Sequence, residues 1–246
     1  MSRASLSRVL LIGGLLLLAI SWWQREALPS PAALKRQLAQ DPLQTPTAAE
    51  PFKTTVAGVT YAVKPLYDYE LWGLVVSMHD TTTWWTWIHA ASNDHLNVMD
   101  FCVVYGDNVK TGAYQDLTYS SGQFVCYVQA NSGAAWQAFS MSALSNNHLL
   151  SDRPSLTSQL RSVRIGDQVR VRGVLAEYSH NHGFAFTRGT STTRTDTGNG
   201  ACETVYVQEL EVLARGGGPW RVLYVAAWVI LAAGVVLWIT APLRVR

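Results

Sequence analysis

The chain has 246 residues, 48% of them apolar and 15% charged, with a formal net charge of +2. That length holds one well-packed domain plus membrane segments, and the charged fraction falls well below the roughly 25% usual in soluble domains. The near-balanced charge, with no basic stripe, excludes nucleic acid as an expected partner.

The first element is apolar. Arg3 and Arg8 precede an uncharged run, and Leu6 to Trp23 is just long enough to span a bilayer. Ala19-Ile20-Ser21 would also fit a signal-peptide cleavage site. We expect an uncleaved anchor over residues 1–23, with Trp22 and Trp23 at the membrane boundary. Residues 24–51 turn polar and proline-rich. Ser30 and Pro31 predict the start of a short helix, and the rest of this stretch predicts an extended tether.

Residues 52–214 read as a β-rich domain. Leu71–Ser77, Met99–Tyr105 and Gln123–Val128 are apolar, β-branched runs, while Gln168–Tyr178 and Glu203–Leu213 alternate with period two. Helical spacing is present over Ala134–Leu144 and, more briefly, over Leu156–Val163. Three strands, a helix and two strands predict a mainly β, OB-like five-stranded Greek-key barrel, with other small Greek-key barrels or sandwiches as rivals. Gly173 would mark a sharp bend. The last element, Val222–Leu243 within residues 219–243, has 22 residues and no charge, which predicts a second transmembrane helix. Arg3 and Arg8 at one end and Arg244 and Arg246 at the other place both termini in the cytoplasm and the domain in the periplasm of a bacterial inner membrane.

The segments at residues 72–77, 100–109, 144–152, 166–180 and 194–207 resemble a group of bacterial membrane-anchored proteins with an OB-like extracytoplasmic domain. The resemblance covers most of Leu71–Leu213. It implies the domain boundaries and brings no activity with it.

Several residue groups suggest chemistry, each with a plainer explanation. In an oxidising compartment Cys102 and Cys126 are the favoured disulfide pair, closing a loop of about 24 residues, although either pairing with Cys202 stays open. Asp196-Thr197-Gly198 matches the aspartic-protease triplet but lacks a preceding apolar strand and a second copy. His180 and His182 would point the same way from an extended segment, yet no metal-ligand spacing accompanies them, so solvated loop histidines and no metal are expected. Trp84, Trp85 and Trp87 form the candidate docking patch. The polar stretches Leu144–Leu150 and Tyr178–Gly183 read as loops.

No nucleophile–base–orienter set or cofactor box is visible in the sequence, and no cofactor is expected. The sequence therefore points to a non-enzymatic accessory or scaffolding subunit of a membrane protein complex, whose partners are the lipid bilayer and other membrane subunits. The rival reading is a membrane-anchored ligand-binding or sensor module. A metal-dependent hydrolase using His180, His182 and Asp196 ranks third.

Overall fold

The computed structural model describes residues 2–83, 86–196 and 201–241. They fall into two compact units, one made of Met1–Ala27 with Gly216–Arg246 and the other of Leu28–Arg215.

The first unit is a helix pair. Helix α1 (Arg3–Gln24) is capped by Ser2, whose hydroxyl accepts the Ser5 amide, and helix α6 (Trp220–Ile239) closes the chain. Both are long and apolar enough to cross a membrane. Small residues let the two helices approach closely. A Cβ added at Gly14 would lie 2.9 Å from Leu231, and one at Gly234 would lie 3.0 Å from Leu11. Ala227 is buried in the same seam. The buried hydroxyls of Ser7 and Ser21 donate back to carbonyls one turn earlier, so neither costs an unmet hydrogen bond. Leu15, Leu16, Val225, Val229 and Val236 remain exposed.

The second unit is built on strands β1 (Leu43–Pro46), β2 (Phe52–Val56), β3 (Val59–Asp80), β4 (Asn97–Val104), β5 (Leu117–Gly122), β6 (Val125–Ala130), β7 (Leu144–Leu150), β8 (Gln168–His182), β9 (Phe184–Arg188) and β10 (Glu203–Ala214). Short helices α2 (Trp87–Ala91), α3 (Gly106–Thr111), α4 (Gly133–Ala138) and α5 (Pro154–Ser162) lie between them. Five strands pair in a cycle: β3 with β4, β4 with β7, β7 with β10, β10 with β8, and β8 back with β3. Only the β7–β10 contact in that cycle is parallel. Strands β1, β2 and β9 add to β3 and β8, giving an eight-stranded sheet, while β5 and β6 form a separate hairpin.

Local chemistry explains the bends. Ala57 and Gly58 both have positive φ, at 50° and 81°, the geometry that a two-residue hairpin between β2 and β3 requires. Gly173 is forced by close approach, because a Cβ there would sit 2.2 Å from the Tyr206 carbonyl oxygen. The β8–β10 register shifts beside it, between Val207 and Glu209, so the strands bend where only glycine fits.

Alternating residues divide the core. Val75, Phe101, Val103, Leu149, Val169, Val171 and Val205 form one cluster, which Leu156 and Leu160 of α5 join. Leu74, Val76, Cys102 and Val104 point the other way and pack with Leu38, Leu117 and Phe139. The Cys102–Cys126 disulfide, with Cα atoms 5.9 Å apart, staples the β5–β6 hairpin over this second cluster.

The architecture is therefore mainly β with two apolar terminal helices, but it departs from the sequence expectation in five places. The run at Gln123–Val128 belongs to the separate hairpin, and the third strand of the cycle is Leu144–Leu150, which its polar residues disguise as a loop. The stretch at 24–51 is no plain tether. Its expected helix is two short 3-10 turns at Pro31–Ala33 and Arg36–Ala39, Leu38 is fully buried, and β1 pairs with β3. The helix expected over Ala134–Leu144 ends at Ala138, and β3 extends 12 residues upstream of Leu71. Among the described residues the strands thus exceed five.

Candidate functional site

Strand register assembles the site. His79 pairs with Asp100 across β3 and β4, Asp100 with His148 across β4 and β7, and His148 with Thr204 across β7 and β10. Residues directly opposite on neighbouring strands share a face. The row carries a buried carboxylate–imidazole pair. Asp100 Oδ1 lies 2.7 Å from His148 Nδ1 and accepts from Asn97 Nδ2 at 3.0 Å. Burial alone would favour the neutral imidazole, but the Asp100 charge and hydrogen bond, with a contact to Cys202, raise His148 to about 9. Burial likewise pushes the Asp100 carboxyl up, yet His148 and Asn97 outweigh it and hold Asp100 below the ordinary carboxylate value.

Cys202 lies one residue before β10 and two before Thr204, the residue that pairs with His148. Asn146 Nδ2 donates toward Cys202 Sγ at 3.6 Å. Cys202 is half-buried, while His148 and Asp100 are buried.

Phe124 covers this group from the tip of the β5–β6 hairpin. Its φ of 68° is unusual for a bulky residue. Its carbonyl accepts from Asn146 Nδ2 at 3.2 Å and from Cys202 Sγ at 3.8 Å. Its ring lies 4.2 Å from the His89 ring and 5.9 Å from the His148 ring, centroid to centroid, with the Arg188 guanidinium carbon 3.9 Å above it. His89 Nδ1 is 3.0 Å from Asp94 Oδ2, and Asp94 Oδ1 accepts from Tyr178 at 2.8 Å.

Among the described residues, His89 Nε2, Asn97 Oδ1, Asp100 Oδ2, Asn146 Oδ1 and Arg188 Nη1 are buried without a hydrogen-bond partner. Buried polar atoms are rarely left so, and these five gather around Phe124 and Asp100. Four are acceptors or a histidine nitrogen, and one is a cationic donor.

A second polar cluster adjoins it. Glu203 pairs with Arg194, which also donates to Gln44 at 2.9 Å and lies 5.2 Å from the Tyr69 ring centroid. Burial outweighs the Arg194 charge and raises Glu203 to about 7. Tyr69, fully buried, donates to Asn147 Oδ1 at 3.4 Å.

The residues singled out from sequence divide sharply. Cys102 and Cys126 are bonded to each other, which leaves Cys202 as the free thiol. Trp84 and Trp85 lie outside the described residues, as do Thr197 and Gly198 of the protease-like triplet, while Trp87 is 67% exposed at the start of α2. Asp196 accepts from the Ser191 hydroxyl at 2.6 Å. His180 does not project to solvent beside His182. It is buried, stacks on Phe186 and reaches the Ser92 carbonyl through Nε2, whereas His182 is exposed. His89 and His148 are likewise buried and paired with carboxylates, against the expectation of solvated loop histidines. Among the described residues no group of three or more His, Cys, Asp or Glu could hold a metal ion.

The sequence did carry one signal for this site. Asp100 interrupts an otherwise apolar strand, and a carboxylate in a buried run needs a partner. Its partner, 48 residues away, emerges only once β4 and β7 pair. Comparison of the chain with protein-family models, curated proteins and solved structures returns no match.

Proposed function

We propose that the chain is a bacterial inner-membrane protein, anchored by α1 and α6 with both termini in the cytoplasm, whose β unit is an OB-like barrel in the periplasm. In this reading it serves as an accessory or scaffolding subunit of a membrane protein complex. The observation that carries the proposal is the pair of apolar helices at the two chain ends, packed glycine to leucine, with large apolar side chains turned outward. Arginines at the short flanks favour cytoplasmic termini, and the Cys102–Cys126 disulfide favours an oxidising compartment. The cyclic strand order, with its single parallel contact and α5 between β7 and β8, supports the OB-like reading.

Because Gly14 and Gly234 already serve the intrachain pair, docking to a partner falls to the outward helix faces and to the β unit, where Trp87 is exposed. The test is extraction of the tagged chain from its native membrane in mild detergent, followed by native mass spectrometry. A reproducible stoichiometric partner supports the accessory role, and a lone monomer or homo-oligomer refutes it. A ligand-binding module is the second reading, supported by the five unpartnered polar atoms around Phe124 and Asp100.

A further inference from the structure

We propose that the tip of the β5–β6 hairpin, Gly122 to Cys126, is a redox-latched lid. The Cys102–Cys126 disulfide holds it shut over a buried polar floor, and a dithiol that reduces this bond lets it lift. This goes beyond the accessory role and does not depend on it.

The backbone of the tip gives the first reason. Gly122 pairs with Val125, so Gln123 and Phe124 are the two turn residues, and Phe124 takes a φ of 68°. Turns give that conformation to Gly or Asn, because a Cβ there crowds the next carbonyl oxygen. A bulky residue in it is strained, and strain of this kind persists only where the surroundings hold it, as in clamps and switches.

The floor gives the second. Phe124 touches His89 on α2, His148 and Asn146 on β7, and Arg188 on β9. Three of these four side chains keep a buried polar atom without a hydrogen-bond partner: His89 Nε2, Asn146 Oδ1 and Arg188 Nη1. Such atoms cost stability while they are shut in and regain hydrogen bonds once water reaches them. The backbone and the floor both favour the lifted tip.

The attachment gives the third. Among the described residues the hairpin pairs with no strand but its own two. Its tip is held by the Ile88 amide on Gln123 Oε1 at 3.1 Å, by Asn146 and Cys202 on the Phe124 carbonyl, and by the Ser77–Ser121 hydroxyl contact at 2.7 Å. The one covalent tie is Cys126 to Cys102, and Cys102 is the residue that pairs with Asn146 across β4 and β7. The disulfide thus fastens the tip beside the groups that the tip covers. In the opening reaction the thiolate of a dithiol attacks Sγ of half-buried Cys126, and Cys102 leaves as a thiolate that takes up a proton. The reductant's second thiol then closes on the first and releases Cys126. The reductant ends as a disulfide and the chain holds two thiols.

The experiment treats the purified full chain in detergent with diethyl pyrocarbonate, either oxidised or after dithiothreitol and desalting without air. Peptide mass spectrometry follows the carbethoxylation of each histidine. Exposed His182 is the reference, and His180, buried against Phe186 rather than Phe124, is the control. His89 should react slowly in the oxidised chain. Reduction should raise its rate relative to His182 at least about tenfold, because losing a loop-closing bond frees local opening. His180 should stay slow, and reoxidation should restore the slow rate at His89. Phe124→Gly removes the ring and should expose His89 even with the disulfide formed. An unchanged His89 rate after reduction, a rise at His180 alongside His89, a disulfide that dithiothreitol leaves intact in the folded chain, or a slow His89 in oxidised Phe124→Gly would each overturn the proposal.

Discussion

Replacing Asp100 by Asn tests the buried pair at the centre of the site. His148 is raised from 6.5 to about 9, and that gap corresponds to about 3 kcal/mol at roughly 1.36 kcal/mol per pH unit. The folded-state value lies above the unfolded one. The stabilisation is therefore complete below about pH 6.5 and is lost as pH rises through about 9. Asp100 is held below its ordinary value, so its own contribution is present above about pH 3.8 and is lost only as pH falls through the folded value. It does not enter the alkaline window. In the Asn variant the imidazole loses its compensating charge, and burial then favours the neutral ring. Urea unfolding of the detergent-held chain, followed by the far-ultraviolet signal of its β-sheet, should show the variant less stable by about 3 kcal/mol at pH 6.5. That difference should shrink steadily between pH 6.5 and about 9. A difference that stays constant over this window would show that Asp100 and His148 are not coupled, and the reasoning would fail.

Glu203→Gln probes the adjacent cluster in a different window. Glu203 is raised from 4.5 to about 7, so the stability tied to its neutral form is whole below about pH 4.5 and is lost as pH rises through about 7. The Gln variant should lack this decline in the same unfolding assay. Replacing Cys102 and Cys126 together by Ala should cost about 3 kcal/mol, given the 24-residue separation. Hydrogen exchange should then rise first in β5 and β6, which that bond ties to β4. Gly234→Leu should separate α1 from α6, since even a Cβ there would lie 3.0 Å from Leu11. Cysteine crosslinking between the two helices should fall sharply while the β unit keeps its thermal midpoint. Gly173→Ala should cost at least about 2 kcal/mol, because its Cβ meets a backbone oxygen that cannot rotate away.

How much of this is written legibly in the chain depends on whether the signal is local. The two apolar helices need only composition and length, and both can be read directly. Strands β4, β8 and β10 carry apolar runs or strict alternation, and the sequence locates each to within about four residues. β7 fails that test, because Ser145, Asn146, Asn147 and His148 are four consecutive polar residues that are all buried. They become a strand through pairing with β4 and β10, and their side chains find partners only there: Asn147 at the Phe101 carbonyl and Ser145, His148 at Asp100. Periodicity cannot reveal a strand whose polarity is satisfied by distant elements.

The same fact connects fold and site. A polar strand in the middle of a five-strand cycle is costly unless each group is matched, and among the described residues the unmatched atoms that remain in the unit, Glu203 Oε2 apart, lie together. Asn97, Asp100 and Asn146 each carry one on β4 or β7, and His89 and Arg188 bring theirs in from α2 and β9, on either side of Phe124. A requirement of folding alone would be met more cheaply by apolar residues of similar volume, as it is one row away at Met99 and Leu149. The polar residues of β7 are therefore best understood as the wall of a site, placed on a strand because a strand holds them still.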